Sequence, residues 1–254
     1  NPINNNVKLS VVIPCYNEKF TIEKIISKIS KLQINIEIIV VDDYSTDGSR
    51  EIIKKIKNRL IKKKIFHKKN YGKGYAIKSS VKFIKGDFII IQDADLEYSP
   101  KDYKNLLRPV LDGRCEVVYG SRVLGKSRYK LNNFISVFRI FANHLLTIVS
   151  NVINRQNLTD AHTCYKLFKT SIFKKINLKE KGFSFCPEVT TKMSNMNISI
   201  IEVPISYNGR DYKEGKKIKF KDAVEAIIAL VKYKFIKKLI WINHEKNSTN
   251  FWSY

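Results

Sequence analysis

Unbroken β-branched runs alternate along the first half of the chain with segments whose apolar residues recur every three or four positions. KLSVVIPCYNE, interrupted by Pro14, IEIIVVDD, DFIIIQDAD and EVVYGSR read as strands, with KKIFHKKN a weaker one. Continuous Ile/Val runs mark strands covered on both faces, as in a parallel sheet. Between them, Phe20, Ile22, Ile25, Ile26, Ile29 and Leu32 give Lys19–Leu32 a helical period. Thr46–Asp47 can cap a helix from about Ser49 to Arg59, and Gly72–Lys85 reads as another helix. Strand–helix alternation builds right-handed βαβ units, and their ligands bind beyond the carboxyl ends of the strands. The expected class is α/β.

The second half changes character. Phe134–Ile153 has 13 apolar residues in 20, interrupted by Arg139, Asn143 and His144. Phe220–Ile242 is a second apolar helix carrying Lys232, Lys234, Lys237 and Lys238. Two readings stand: helices packed on the sheet, or amphipathic helices lying at a membrane interface with lysines reaching headgroups. A division at 1–219 and 220–254 follows, the second part an amphipathic helix with a polar tail. No apolar run is long enough for a clear transmembrane helix, and no signal peptide opens the chain.

Composition changes the picture through charge. The 254 residues carry 47 Lys and Arg against 23 Asp and Glu, a net +24. Such an excess points to an anionic partner: nucleic acid, a phosphorylated ligand or acidic lipid. The acidic residues are nonetheless concentrated, with ten of the 23 in Glu37–Glu51 and Asp87–Asp102. Clustered carboxylates in a cationic chain suggest metal binding. Four cysteines without CxxC spacing and four histidines without HxxxH argue against a zinc site or a disulfide framework.

Asp93, Asp95 and Glu97 follow a buried strand. In extended geometry positions i, i+2 and i+4 face one way, presenting oxygen donors to a hard divalent cation that also takes phosphate ligands. Asp42 and Asp43 end the second strand, IEIIVVDD. Asn70-Tyr71-Gly72-Lys73-Gly74 opens a helix, its glycines permitting close backbone approach and Lys73 adding a charge for phosphate. It is neither a P-loop nor GxGxxG, since Ile77 stands at the third glycine position. Arg122 and Arg139 lie in apolar surroundings, where a phosphate partner would offset their burial. GRDYKEGKKIKF adds Arg210, Lys216 and Lys217 in a basic, glycine-containing loop.

VVIPCYNE, IIVVDDYSTDGS, NYGKGYAI, QDADLEYSP, YGSR, TDAHTCYKLF and VPISYNGRDYKEGKKI occur in the order seen in family 2 glycosyltransferases. Over Leu9–Tyr233 the chain resembles the bacterial members similar to dolichyl-phosphate mannose synthase. The resemblance implies a GT-A fold, a mainly parallel nucleotide-binding sheet flanked by helices. It implies that Pro14, Tyr16, Asn17, Glu18, Asp42, Asp43, Asn70, Gly72 and Lys73 hold the nucleotide, and that Asp93 and Asp95, with Glu97 beside them, bind Mg²⁺ or Mn²⁺. Arg122 and Arg139 match arginines on the acceptor phosphate, and Arg210 and Lys217 fall in the loop that closes on the diphosphate. Asp160 stands where hydroxyl-using relatives carry a base; here a structural or acceptor-positioning role is expected.

The expected reaction moves a hexose, with inversion, from a GDP- or UDP-sugar to a polyisoprenyl phosphate. The expected setting is the cytoplasmic face of a membrane with an anionic surface. Alternatives are a sugar or other hydroxyl acceptor and, from another class, nucleic-acid binding. The latter is disfavoured because the acidic clusters would repel a phosphate backbone.

Overall fold

A computed structural model of the chain describes residues 7–124, 134–210 and 222–235, with the backbone alone for 134–141. Seven strands among these residues form one sheet in the order β3-β2-β1-β4-β6-β5-β7. They are β1 (Lys8–Cys15), β2 (Asn35–Asp42), β3 (Ile61–Phe66), β4 (Phe88–Ile91), β5 (Val117–Ser121), β6 (Lys166–Lys169) and β7 (Ile200–Pro204). The strands pair in parallel except at β6, which runs antiparallel to both β4 and β5. The helices are α1 (Ile22–Ser30), α2 (Ser49–Lys55), α3 (Lys73–Ser80), α4 (Tyr103–Leu111), α5 (Phe134–Asn154), α6 (Thr170–Lys175), α7 (Phe185–Asn195) and α8 (222–235).

The apolar runs become the centre of the sheet. Leu9, Val11, Val12 and Ile13 of β1, Ile38–Val41 of β2 and Ile89–Ile91 of β4 are fully buried, covered on both faces as continuous runs require. Pro14 does not end β1. Successive residues of a strand point their peptide groups to alternate sides. Val12 accepts from Gln92 on the β4 side and Cys15 accepts from Asp43 on the β2 side. Pro14 therefore faces β4, whose ladder has already stopped with Ile91 opposite Val12. The missing N–H costs no ladder bond there.

Several boundaries differ from expectation. Phe20 lies outside α1 and is exposed, while Ile22, Ile25, Ile26 and Ile29 form the buried stripe. The helix expected to Arg59 stops at Lys55, where Ile56 turns extended. The one expected to Lys85 ends at Ser80 in a single 3₁₀ turn, Val81–Phe83. β6, β7, α4, α6 and α7 had no clear signal. β6 is four residues long and begins with a fully buried Lys166. α7 buries Thr190, Thr191 and Glu188, which blurs any apolar stripe. α8 buries Ala226, Ala229 and Leu230, and its end is tied to α7 by Asn195 Nδ2 donating to the Tyr233 carbonyl at 2.9 Å. The expected boundary at 219/220, Lys216, Lys217 and the tail beyond 235 lie outside the described residues, as does the side chain of Arg139.

Candidate active site

The carboxyl ends of β1 and β2 are level, Cys15 pairing with Asp42, so their following loops meet. Asn17 adopts a left-handed backbone (φ 53°). Its amide donates to Ser45 Oγ at 3.0 Å, and its Oδ1 accepts from the Thr46 amide at 2.8 Å. The Glu18 amide donates to Ser49 Oγ at 2.7 Å. Asp47 receives the Ser49 amide at 2.9 Å, the local turn that the sequence signals at the start of α2. Pro14 and Tyr16 are partly buried beside this junction, and Asn70 is exposed.

The adjacent aspartates divide their work. Asp42 is fully buried, accepting Arg50 Nε at 2.6 Å and the Ser45 amide at 3.2 Å. It pins Arg50, which also donates to the His67 carbonyl, so within the protein the Asp42 carboxylate serves the framework. Alternation along β2 explains the difference: neighbouring residues point to opposite faces. Asp43 turns the other way. Its Oδ1 accepts from the Tyr71 amide at 2.9 Å and from His67 Nδ1 at 2.6 Å, and its Oδ2 accepts from the Gly72 amide at 2.7 Å.

Gly72 and Gly74 do permit close approach, but of the protein's own backbone. A Cβ on Gly72 (φ 93°) would sit 2.5 Å from the Lys181 carbonyl oxygen, and one on Gly74 would sit 2.3 Å from that of Glu180. Glu188 holds this 180–182 segment from within, its carboxylate accepting the Lys179 and Glu180 amides at 2.7 and 2.9 Å. The sequence reading missed Glu188; its one local signal is Lys192 four residues on, which it meets at 2.5 Å.

At the end of β4 the carboxylates sit in a turn rather than in extended geometry, with Leu96 left-handed at φ 64°. The expected one-sided row of Asp93, Asp95 and Glu97 is therefore not formed. Asp93 meets Lys73 Nζ at 2.5 Å, and Lys73 also reaches Cys164 Sγ at 3.1 Å. Burial opposes the Lys73 charge, yet Asp93 outweighs it and holds the ammonium well above the ordinary lysine range. Asp95 accepts the Glu97 amide at 3.0 Å and Arg210 Nη2 at 3.2 Å. Burial first, then the Asp93 and Glu97 charges, push its carboxyl up to about 7. Glu97 anchors the chain after β7, accepting the Tyr207 hydroxyl at 2.7 Å and the Arg210 amide at 2.9 Å. Arg210 also forks onto Glu18 at 3.0 and 3.1 Å, which joins the first loop of the chain to the last described one.

Among the described residues no three His, Cys, Asp or Glu side chains converge as a metal site. The donor set still fits a hard divalent cation. Asp93 and Asp95 supply two carboxylates just beyond the carboxyl end of β4, and such an ion usually completes its octahedron with water and substrate phosphates.

On the β5 side, Arg122 and Asp160 are buried together. Arg122 donates Nε to Oδ2 at 2.6 Å, Nη2 to Oδ1 at 2.7 Å and its amide to Oδ2 at 3.1 Å. Burial alone would raise the Asp160 carboxyl, but Arg122 outweighs it and holds it below the ordinary range. The guanidinium also lies over the Tyr207 ring at 5.1 Å. Glu202 of β7 braces the loop, accepting the Thr159 and Asp160 amides at 2.6 and 2.9 Å. Lys166 Nζ donates to the Ala161 carbonyl at 3.0 Å and to that of Thr163. Neither Glu202 nor Lys166 was expected, since most of their partners are backbone groups.

Residues 10–177 match the family described as Glycosyl transferase family 2. Over 210 residues the chain is 29% identical to the low-salt glycan biosynthesis hexosyltransferase Agl6 of Haloferax volcanii, covering 80% of this chain and 48% of that protein. Over 213 residues it is 26% identical to the dolichol-phosphate mannosyltransferase of Pyrococcus furiosus, covering 83% and 59%. The chain thus spans about half the length of these two relatives. Among solved structures, glucosyl-3-phosphoglycerate synthase from Mycobacterium tuberculosis, in complex with Mn²⁺, UDP and phosphoglyceric acid, superposes with a TM-score of 0.67 at 18% identity, covering 91% of this chain and 79% of that one. Mannosyl-3-phosphoglycerate synthase from Rubrobacter xylanophilus gives 0.67 at 16% identity, covering 94% and 75%. These likenesses confirm the GT-A sheet. The family match runs from β1 through α6, across both the paired aspartates and the Arg122–Asp160 fork, and the chain belongs to glycosyl transferase family 2.

Proposed function

We propose that this glycosyltransferase moves a hexose from a nucleotide sugar to a polyisoprenyl phosphate, with inversion. The observation that carries the reading is the meeting of two carboxylates, Asp93 and Asp95, with two cationic side chains, Lys73 and Arg210, at the carboxyl end of β4. A nucleoside diphosphate brings charge that such a mixed cluster can rearrange around. Asp93 and Asp95 would hold Mg²⁺ or Mn²⁺, which when bound neutralises the leaving diphosphate. Lys73 and Arg210 would turn from carboxylate to phosphate oxygens, aided by Lys217, while the loops at Pro14–Glu18, Asp43 and Asn70–Gly72 hold the nucleoside.

A phosphate acceptor is already anionic at neutral pH and needs no strong base. Asp160 fits that requirement, because its carboxylate is taken up by Arg122. In this reading Asp160 sets the guanidinium, and Arg122 with Arg139 orients the acceptor for in-line attack. The dolichol-phosphate acceptor named for the Pyrococcus furiosus relative supports the same choice.

No helix among the described residues is long and apolar enough to cross a membrane. α8 exposes Val224, Ile227, Ile228, Val231 and Phe235, and α5 exposes Leu145, Ile148 and Val152, each at helical spacing. These stripes, with the net +24, support docking on an anionic bilayer surface at the cytoplasmic face. Release of nucleoside diphosphate from a panel of UDP- and GDP-sugars, with Mg²⁺ or Mn²⁺ and with or without a polyprenyl phosphate, tests the proposal. Lipid-dependent release from one donor is expected. Donor turnover indifferent to lipid, or stimulated by a hydroxyl acceptor, would sink the lipid-phosphate assignment.

A further inference from the structure

Resting on the reading that this site binds a nucleoside diphosphate, we infer that its base is uracil rather than guanine, and that His67 enforces the choice. The diphosphate end is fixed by Asp93 and Asp95 beyond β4. In the sheet order β3-β2-β1-β4, Asp43 stands beyond β2, two strand spacings or about 10 Å away, where the base of an attached nucleoside lies.

An ionised carboxylate offers roughly four lone-pair positions, two on each oxygen. In Asp43 both positions on Oδ1 are filled, by the Tyr71 amide and His67 Nδ1, and one on Oδ2 is filled by the Gly72 amide. Nδ1 must be the donor, because a carboxylate only accepts. One acceptor position remains among the described residues, on Oδ2. Uracil presents a single imide N–H between two carbonyls, which needs one acceptor. Guanine presents its ring N–H and exocyclic amine side by side, and a carboxylate reads that edge only with one free position on each oxygen. With Oδ1 saturated, one guanine donor would be buried without a partner.

The arrangement cannot relax cheaply. The rings of Tyr71 and Tyr75 stack at 4.6 Å, and His67 packs edge-on against both at 5.4 Å. Gly72 is locked against the Lys181 carbonyl, so the amides facing Asp43 are held in place.

Titration calorimetry of the whole chain with UDP and with GDP, both with Mn²⁺, tests this. An unpartnered donor costs about tenfold or more in affinity, so UDP should bind at least about tenfold more tightly than GDP. Equal or tighter binding of GDP overturns the inference while leaving the transferase reading intact. Binding of neither overturns both. His67→Ala frees a position on Oδ1 and should reduce the UDP-to-GDP ratio at least threefold (roughly), with His67→Gln, which keeps an N–H donor, restoring it. An unchanged ratio in His67→Ala protein with a native circular dichroism spectrum overturns the role of His67. Should that variant fail to fold, the wild-type ratio decides alone.

Discussion

Asp43 and Asp160 are each 3% exposed, and each accepts three N–H groups, yet they do different work. Asp43, at the end of β2, holds two backbone amides and an imidazole, and so shapes a loop without a formal counter-charge of fixed sign. Asp160, on the lead-in to β6, holds a guanidinium 38 residues away in sequence. The Asp43 carboxylate is thus held by backbone geometry and a ring, and the Asp160 carboxylate by a buried charge pair. Removing a partner costs far more in the second case, because it strands a buried charge.

The largest expected effect lies between the two regions. Asp95→Ala removes a proposed metal carboxylate and releases Arg210, so turnover should fall roughly a hundredfold or more, read as nucleoside diphosphate release. Full turnover of that variant without added metal would break the proposed role. Next comes the charge pair. Arg122→Ala should destabilise the fold by about 3 to 5 kcal/mol in chemical denaturation. Asp43→Asn should cost about 1 to 2 kcal/mol and act chiefly on nucleotide affinity. Equal stability losses in the two would erase the distinction drawn above.

A smaller effect separates the regions by pH. Burial, then the Lys166 charge, pushes His162, two residues after Asp160, down from 6.5 to about 4. Between those values the unfolded chain binds the proton and the folded chain does not, so stability falls as pH drops from 6.5 towards 4. His162→Phe should flatten that part of the profile; an unaltered slope in thermal melts would show that His162 does not set it. Smallest is Val152→Ser on the exposed face of α5, which should move stability by no more than about 0.5 kcal/mol while weakening association with anionic vesicles. Unchanged vesicle binding in a combined Val152→Ser, Ile228→Ser variant would remove these stripes from the docking surface.

The same contrast explains what could be read beforehand. β1, β2 and β4 were legible because both faces are covered and their Ile/Val runs are continuous, and β5 by its shorter Val117–Tyr119 run. The paired aspartates were legible as strand-end carboxylates, but only the structure shows that Asp42 meets Arg50 while Asp43 meets His67 and the 71–72 amides. The fork between Arg210 and Glu18 joins residues 192 positions apart, and no local spacing encodes it. β6 and α7 hid because Lys166 and Glu188 are buried charged residues, Lys166 on carbonyls and the Tyr119 ring and Glu188 on amides and Lys192, which read in sequence as surface.

The reversal of β6 has a consequence for how such a catalyst can diversify. Running against its neighbours, it brings its first residue rather than its last to the edge where β4 and β5 end. It is held by only three registered pairs to each of them. Residues inserted in the loop ahead of it would reshape the surroundings of the Arg122–Asp160 pair, the proposed acceptor side, while the parallel ladder of β1, β2 and β4 kept its register. One short, backward strand is thus an expansion joint, where the proposed acceptor side can change while the loops proposed to hold the nucleotide stay still.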